Sequence, residues 1–342
     1  MRPDETGPTD VKDFYFQWHL TNLCNHRCQH CYHERFDSKN ELESKDLLRI
    51  VDEIGHSLAA WNIRGSVALT GGEPLVRRDE LHAVLDALHR SPRIEGVDIL
   101  TNGSLLDEYE LDRLRDYTKL RRIQLSLEGA TARTHDRIRG IGDYDRVIQT
   151  IRQLKKHGFR LSVMTTVTRV NHLELVSIME LLAELNVDFF ALERFIPAGQ
   201  SSGLAAWRLS PRELQTAFQT TCDWGLSHVR PTVLMYRTLF ALCSADNPSV
   251  GAMCSAGMNA LTLMPNGDIY PCRRLPIKIG NVFEEGIIRT WFCSDVLWKI
   301  RQVRNLGGKC GICDKVGVCR GCRAFAYAVT GDYLSEDPQC WA

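Results

Sequence analysis

The cysteines are the residues of this sequence that best indicate chemistry, because they are clustered. Of thirteen cysteines in 342 residues, three lie within Cys24–Cys31, the next is Cys222, and four lie within Cys310–Cys322. Thirteen is roughly 4% of the chain, well below the 8–10% typical of disulfide scaffolds. Clustered cysteines in a reducing compartment are more often metal ligands than disulfide partners. The sequence therefore predicts bound metal.

The first cluster is Cys24-x3-Cys28-x2-Cys31. Three thiolates in such a short loop can bind one face of a four-iron cluster and leave one iron open to a small molecule. A zinc ion is the nearest alternative, with a fourth ligand from one of three nearby histidines, His26, His30 and His33. Three inert buried thiols are the remaining interpretation. The spacing alone leaves these alternatives open.

A longer array of cysteines fills the end of the chain. Its members are Cys254, Cys272, Cys310, Cys313, Cys319, Cys322 and Cys340. Seven or eight thiolates would fit two tetrahedral zinc sites. Disulfides are the least expected outcome in a reducing compartment.

A glycine-rich turn, Gly71-Gly72-Glu73-Pro74, follows a short apolar run. Two glycines let the backbone approach a ligand closely, and a carboxylate can accept hydrogen bonds from an ammonium group. An ordinary turn between a strand and a helix is the alternative.

The pattern of residues 14–196 predicts the strands and helices that position these motifs. Six β-rich runs alternate with amphipathic helical stretches, which indicates a parallel sheet with right-handed crossovers. The span of about 180 residues fits six β/α units, since eight take about 250. The predicted strands are Phe14–Leu20, Ser66–Leu69, Val97–Leu100, Arg122–Leu127, Leu161–Val167 and Val187–Ile196. We expect an α/β fold, an incomplete (β/α)6 TIM-like barrel whose site lies at the C-terminal ends of the strands.

The rest of the chain divides into three parts. Residues 1–13 are polar and predict a flexible N-terminus, and residues 197–253 predict a bridging region with a helix over Ser210–Trp224. Residues 254–342 have short segments and turn signals, including a hairpin around Pro265–Asp268. They predict a small cysteine-rich α+β domain.

With these elements in place, the motifs together resemble the radical S-adenosylmethionine (SAM) superfamily. The resemblance rests on Cys24–Cys31 followed by Tyr32, on Gly71–Pro74, on Thr101-Asn102-Gly103 and on Ser126-Leu127-Glu128-Gly129. It implies a 4Fe–4S cluster held by the catalytic cysteines Cys24, Cys28 and Cys31, whose open iron binds the amino and carboxylate groups of SAM.

The same resemblance implies roles for further residues. The turn of Gly71, Gly72, Glu73 and Pro74 would hold the methionine amino group. Asn102 and Ser126 are similar in position to residues that contact the ribose or the methionyl part. Arg139, in His135-Asp136-x2-Arg139-Gly140, would pair with the SAM carboxylate, its alternative being a surface arginine on a solvated helix.

The implied reaction begins with one electron passing from the reduced cluster to the sulfonium of SAM. The C5′–S bond then breaks, giving methionine and a 5′-deoxyadenosyl radical that abstracts hydrogen from an unreactive C–H bond. In such chemistry the protein supplies orientation and exclusion of water. No protein nucleophile is required.

The C-terminal array resembles the SPASM domain, which carries two auxiliary 4Fe–4S clusters. By that resemblance Cys310, Cys313, Cys319 and Cys340 hold one cluster, and Cys254, Cys272 and Cys322 hold the other, nearer the active site. The fourth ligand of the second cluster is open, or is Cys243, Cys222 or a non-cysteine group. Cys222 and Cys293 are otherwise expected to be buried structural thiols.

Two departures from the SPASM pattern bear on function. Two residues separate Cys319 from Cys322, whereas the usual spacing is three. Arg273 follows Cys272, at the position where sulfatase-maturing relatives carry a proton-accepting aspartate. This arginine argues against a sulfatase maturase.

The ending from Cys319 to Cys340 resembles both the maturases of pyrroloquinoline quinone and mycofactocin peptides and the haem-pathway enzymes that modify tetrapyrrole side chains. Our first hypothesis is modification of a ribosomally made peptide by cross-linking, decarboxylation or oxidation, with a separate recognition protein. Tetrapyrrole modification is the second. A non-catalytic iron–sulfur electron-transfer protein is the third, and Gly71–Pro74 argues against it, since an electron carrier needs no SAM pocket. A flavodoxin or ferredoxin would supply electrons.

Charge and hydropathy exclude other classes of partner. Lys+Arg and Asp+Glu are both 42, which argues against broad electrostatic binding of nucleic acid or anionic membranes. No apolar run approaches the ~18 residues of a membrane span, and the start of the chain lacks a signal peptide's apolar core. We therefore expect a cytoplasmic protein.

Overall fold

The computed structural model describes residues 13–234, 254–317 and 319–341. Within these ranges ten strands form one sheet, in the order β10-β9-β8-β1-β2-β3-β4-β5-β6-β7. The strands β1–β10 are Asp13–His19, Arg64–Thr70, Ile94–Leu100, Leu120–Ser126, Leu161–Val167, Phe189–Arg194, Thr232–Leu234, Ala260–Leu263, Asp268–Tyr270 and Gly280–Asn281. Cys243, proposed above as a ligand, lies outside the described residues.

Eleven α-helices are found in the same described ranges, and most cross from one parallel strand to the next. The helices α1–α11 are Ser44–Ala60, Arg78–Arg90, Glu108–Arg115, Ala132–Arg139, Asp143–Lys156, Leu175–Glu184, Pro211–Ser227, Gly286–Cys293, Asp295–Arg301, Gly308–Ile312 and Arg323–Thr330. None of the helices described is both long and apolar enough to cross a bilayer.

Strands β1 to β6 are parallel neighbours in chain order, as expected for six β/α units. The predicted α/β fold, a partial barrel followed by a cysteine-rich region, is confirmed. All six predicted strands exist; Leu161–Val167 has the predicted bounds, and the ends of the other five differ from the prediction by at most three residues. The C-terminal ends of these strands define the edge of the sheet where the conserved geometry of such barrels places a site.

The sheet continues beyond the six units at both edges. On one side β7 pairs with β6. On the other, β8 pairs in parallel with β1, with Tyr15 opposite Ala260 and Trp18 opposite Leu263. The predicted hairpin is present, because β8 and β9 pair in antiparallel fashion across the turn at Pro265–Asp268. The cysteine-rich region is therefore hydrogen-bonded directly to the first strand of the barrel, a pairing that the sequence did not predict.

Burial explains why β1 lies at the centre of this sheet. Phe14, Phe16 and Trp18 are almost completely buried. Phe14 packs on Trp61 after α1 and on Trp291 of α8, with ring centroids 5.0 and 4.9 Å apart. Aromatic pairs at such distances add to the apolar area that they bury. The start of the barrel and the C-terminal helices thus share one core.

Ser210 and Asp143 lie at the starts of two helices and bond differently. Ser210 caps α7, and its reciprocal bonds with Glu213 form a capping box. Helix α5 begins at Asp143, and Gly142 precedes it with a φ of +82°. The Asp143 carboxylate binds Arg139 and His135. A guanidinium and an imidazole outcompete backbone amides here because they offer charge-assisted bonds.

Candidate active site and cluster-binding cysteines

The loop of Cys24, Cys28 and Cys31 lies at the C-terminal end of β1, and all three side chains line one cavity. The cavity encloses about 1020 Å³, part of it open to solvent. Neighbouring segments hold the loop through its backbone. Gln29 N donates to Ile138 O of α4 at 2.8 Å, and Ser201 N donates to Cys31 O at 3.1 Å. The loop is therefore fixed from two sides.

The glycine turn after β2 lies directly against this loop. Gly72 N donates to Thr21 O at 2.7 Å, and Glu73 N donates to Leu23 O at 2.8 Å. A Cβ atom on Gly71 would lie 2.4 Å from Thr21 O, and one on Gly72 would lie 2.2 Å from Leu23 O. Both distances are far below van der Waals contact with backbone atoms that cannot move aside. The close approach requires glycine, as the sequence indicated.

Glu73, the third residue of the glycine turn, is completely buried. Its carboxylate accepts hydrogen bonds from Leu75 N and Thr101 Oγ1 at 3.1 and 2.8 Å through Oε1, and from Asn102 N at 2.7 Å through Oε2. Burial raises the pKa of this carboxyl, and the three donors partly offset that rise. Neither Glu73 nor Pro74 lines the cavity. The bonds of Glu73 fix the turn at Asn102.

Asn102 lies just after β3, and Ser126 is the last residue of β4. Both side chains line the cavity. Asn102 Nδ2 donates to Asn25 Oδ1 at 2.8 Å, which ties the β3 turn to the cysteine loop. Ser104 N donates to Asn102 Oδ1 at 2.9 Å and fixes the amide orientation. The structure thus brings together the motifs after β1, β2, β3 and β4.

Arg139 is buried and lines the cavity, so the alternative of a surface arginine is wrong. Its Nε donates to Asp143 Oδ2 at 2.9 Å, and its Nη1 lies 3.8 Å from Glu128 Oε1. Burial alone would lower the pKa of Arg139, but Cys28 and these two carboxylates raise it. Arg139 is therefore a permanent cation beneath the cysteine loop.

Histidines complete this charged network. His30 Nε2 lies 3.0 Å from Glu128 Oε1. Glu128 N donates to His135 Nδ1 at 3.0 Å, so the neutral His135 ring carries its proton on Nε2 and donates it to Asp143 Oδ2. Burial would raise the pKa of Asp143, but the bond from His135 and the charge of Arg139 lower it to about 2.

The three cysteine thiols have raised pKa values. Burial is the main cause for each, and it raises the pKa of Cys31 to about 12. Thiols in such surroundings ionise when a metal binds, because the metal–thiolate bond replaces the lost hydration. The donor set is three sulfurs in one cavity, with a close backbone turn and Arg139 beside them, and it fits a cluster with an open iron. The described residues include no group of three His, Cys, Asp or Glu side chains that could hold a single metal ion, so the three sulfurs of this cavity would have to bind different irons of a larger cluster.

A second cavity, of about 1200 Å³, is lined by Cys310, Cys313, Cys319 and Cys340. These are the four cysteines that the SPASM resemblance assigned to one cluster. Backbone amides point at three of the sulfurs. Asp337 N donates to Cys310 Sγ, Lys315 N to Cys313 Sγ and Gly321 N to Cys319 Sγ, each at 3.4 Å. Hydrogen bonds of this kind to sulfur orient cysteines that ligate a cluster.

The other described cysteines line neither of these two cavities. Cys272 and Cys322 pack in one small apolar cluster with Leu275 and Phe325, and Cys254 is half-buried. Cys222 is buried in α7, as expected. Cys293 is exposed, so its expected burial is wrong. It is the last residue of α8, and the buried side of that helix is formed by Ile287, Thr290 and Trp291.

Three residues that line the active-site cavity were missed in the sequence: Glu193, Arg194 and Arg274. The cavity is also lined by His30, His33, Glu128 and Arg273, which the sequence analysis named in other roles. Glu193 and Arg194 end β6, an otherwise apolar strand, and this change from apolar to charged residues was an available signal. Arg274 Nη2 lies 2.9 Å from Glu193 Oε1. Arg194 binds Asp337 near the C-terminus.

Comparison with known proteins gives two family matches. Residues 18–182 match the model of the radical SAM superfamily, and residues 254–323 match that of SPASM, an iron–sulfur cluster-binding domain. An AdoMet-dependent heme synthase of Methanosarcina barkeri is 30% identical over 94% of this chain and 95% of its own length. The mycofactocin maturase MftC of Mycobacterium tuberculosis is 29% identical over 94% of this chain and 81% of its own length.

The fold is also found among solved structures. SuiB of Streptococcus suis, bound to the precursor peptide SuiA, superposes with a TM-score of 0.77. The match covers 96% of this chain and 76% of SuiB at 18% identity, which shows a common fold.

Proposed function

Because the chain belongs to the radical SAM superfamily and carries a C-terminal SPASM domain, we propose that it is an enzyme that modifies a ribosomally made peptide through a SAM-derived radical. The observation that carries the peptide assignment is a second cavity beside the active site. The active-site cavity shares Tyr32, His33, Arg273 and Arg274 with a neighbouring cavity of about 900 Å³. The two cavities therefore adjoin, and the second one would give room to a peptide chain beside SAM.

Cys24, Cys28 and Cys31 would hold a four-iron cluster, which would supply the electron for reductive cleavage of SAM to methionine and a 5′-deoxyadenosyl radical. The protein's own residues bind and orient SAM. The backbone at Gly71 and Gly72 lies beside the cysteine loop and would receive the methionine ammonium group. Arg139 would pair with the methionine carboxylate, and Asn102 and Ser126 would contact the remaining polar atoms. Glu73 would position Asn102.

We assign two auxiliary clusters to the C-terminal region. Cys310, Cys313, Cys319 and Cys340 would hold one, which their shared cavity supports. Cys254, Cys272 and Cys322 would hold the other. Residues 14–196 would form the radical SAM unit, 197–253 the bridge and 254–342 the SPASM unit. A cytoplasmic flavodoxin or ferredoxin would supply electrons, and a separate recognition protein would deliver the peptide.

A second candidate substrate is a tetrapyrrole with carboxylate side chains. The charge of the active-site cavity favours an anionic ligand, since its lining includes four arginines, Arg139, Arg194, Arg273 and Arg274, against two glutamates, Glu128 and Glu193. The similarity to a heme synthase supports the same candidate. A peptide acid would also match this charge, so charge does not separate the two substrates.

The test is direct. The anaerobically reconstituted enzyme receives SAM, a reductant and either the precursor peptide encoded beside its gene or a tetrapyrrole with propionate side chains, and products are followed by mass spectrometry. Loss of two hydrogens from the peptide supports the proposal. Loss of carbon dioxide from the tetrapyrrole, with an unchanged peptide, supports the second candidate. A protein that forms no 5′-deoxyadenosine with either would be an electron carrier.

A further inference from the structure

A half-buried arginine, Arg320, lines the cavity of four C-terminal cysteines. These are Cys310, Cys313, Cys319 and Cys340. Arg320 Nη1 donates to Arg301 O at 3.1 Å, and its Nε is buried without a hydrogen-bond partner among the described residues. No carboxylate in the described part of the chain pairs with it. A guanidinium withdrawn from water in this way is unfavourable unless negative charge lies close to it.

The backbone at Arg320 has an uncommon conformation. Its φ is +66°, and that of Gly321, the next residue, is +62°. Glycine adopts such left-handed angles readily, whereas a long side chain does so at a cost in free energy. Strained positions of this kind persist where the surrounding structure holds them, and they are often functional. The turn between Cys319 and Cys322 therefore keeps an arginine where glycine would be easier to accommodate.

The surroundings of Arg320 do not balance its charge. Arg301, whose carbonyl accepts from Arg320, is itself a cation: its Nε donates to Gly257 O at 2.7 Å, and its guanidinium lies 4.2 Å from the centroid of the Trp291 ring. Among the described residues that line the cavity, the only acidic side chain is Asp314. That side chain is 86% exposed and lies 3.9 Å from Lys315 Nζ, so water and a lysine already screen it.

We propose that the Arg320 guanidinium balances part of the negative charge of the cluster held by these four cysteines and raises its reduction potential. This inference rests on the proposed assignment of a cluster to these cysteines and does not depend on the substrate. An iron–sulfur cluster with four thiolate ligands is an anion and gains a further negative charge on reduction. A fixed cation beside it therefore favours the reduced form, because net charge is one of the factors that set the potential. The guanidinium stays protonated at every accessible pH, so its effect is constant.

The test is a redox titration of the anaerobically reconstituted enzyme, followed by electron paramagnetic resonance. The signal of this cluster is the one that disappears when Cys310 and Cys313 are changed to Ala. In Arg320→Met that signal should titrate at a lower potential, with the equilibrium constant for reduction about tenfold smaller, a shift of about 59 mV for one electron. Arg320→Lys keeps the charge and should retain most of the wild-type potential. Both replacements lose the planar guanidinium, so charge is the main difference between them.

Arg304→Met, which removes an exposed charge, is the matched control and should leave the potential unchanged. A wild-type potential in Arg320→Met, or equal shifts in Arg320→Met and Arg320→Lys, overturns the role of the charge. If Arg320→Met takes up less iron, normal iron content in Arg320→Lys supports the proposal, and equal loss in both variants overturns it. An unchanged iron content and spectrum after the change of Cys310 and Cys313 would instead overturn the cluster assignment, and this inference with it.

Discussion

The guanidinium of Arg194 binds both carboxylate oxygens of Asp337, at 3.3 and 2.9 Å, and both side chains are almost completely buried. Arg194 ends β6 of the barrel, whereas Asp337 lies three residues before Cys340. The same carboxylate accepts from Cys322 N at 2.8 Å. One ion pair therefore joins the active-site end of the barrel to the segment around Cys322 and Cys340, which we assign to different auxiliary clusters.

Breaking this pair should destabilise the protein and its auxiliary sites. Arg194→Met leaves Asp337 buried without its cation, which typically costs about 3–5 kcal/mol. We expect a lower Tm and loss of auxiliary iron, measured by calorimetry and iron analysis. Arg169→Met is the matched control, because the Arg169–Glu213 pair is largely exposed and such pairs contribute at most about 1 kcal/mol. Equal effects of the two changes would contradict a structural role for Arg194.

Gly72→Ala should impair SAM binding. Its Cβ would lie 2.2 Å from Leu23 O, so the cysteine loop must shift. We expect a Kd for SAM at least about tenfold higher, measured by equilibrium dialysis, since small displacements of positioning groups are costly. Gly203→Ala is the control, because a Cβ there meets no atom within 4 Å. Wild-type affinity in Gly72→Ala would show that the loop does not depend on this contact.

The triple change of Cys24, Cys28 and Cys31 to Ala should abolish formation of 5′-deoxyadenosine. Auxiliary iron should remain, because the cysteines of the second cavity are separate from this loop. Chromatography of the nucleoside product and iron analysis measure the two effects. Cys293→Ala, at an exposed cysteine, should change neither. Undiminished product in the triple variant would refute the assignment of these cysteines.

Three four-iron clusters would give about twelve irons per chain after anaerobic reconstitution. Changing Cys310 and Cys313 to Ala should lower this number by about four, because both thiols line the same cavity. Iron and zinc are measured together by mass spectrometry. Stoichiometric zinc with about four irons would identify the C-terminal region as a zinc module instead.

Glu73→Gln tests whether this residue acts through Asn102. The Glu73 carboxylate accepts hydrogen bonds from Leu75 N, Thr101 Oγ1 and Asn102 N. A glutamine has only one oxygen acceptor and cannot keep all three bonds, so the turn after β3 should become less fixed. We expect weaker SAM binding with unchanged iron content. Glu73→Asp, which keeps the charge on a shorter side chain, should recover part of the affinity. Full affinity in Glu73→Gln would exclude the positioning role.

The sequence by itself determined the fold class and the cluster-binding loops, because both depend on local patterns. Six apolar runs separated by amphipathic helices indicate parallel β/α units, and Cys24, Cys28 and Cys31 are close in the chain as well as in space. The glycines at 71 and 72 were recognised for the same reason, since a turn of this kind is a local feature.

Only the tertiary structure decided the parts that depend on contacts between distant segments. In the structure β8 pairs with β1, the Glu73 side chain does not line the cavity, and Arg139 is buried between Glu128 and Asp143. The structure also joins Arg194 to Asp337 across more than a hundred residues, and places His33 next to Arg273. From sequence alone, charged side chains such as these are expected to lie on the solvated surface. Their burial depends on partners that packing supplies, and no local pattern encodes which partners meet.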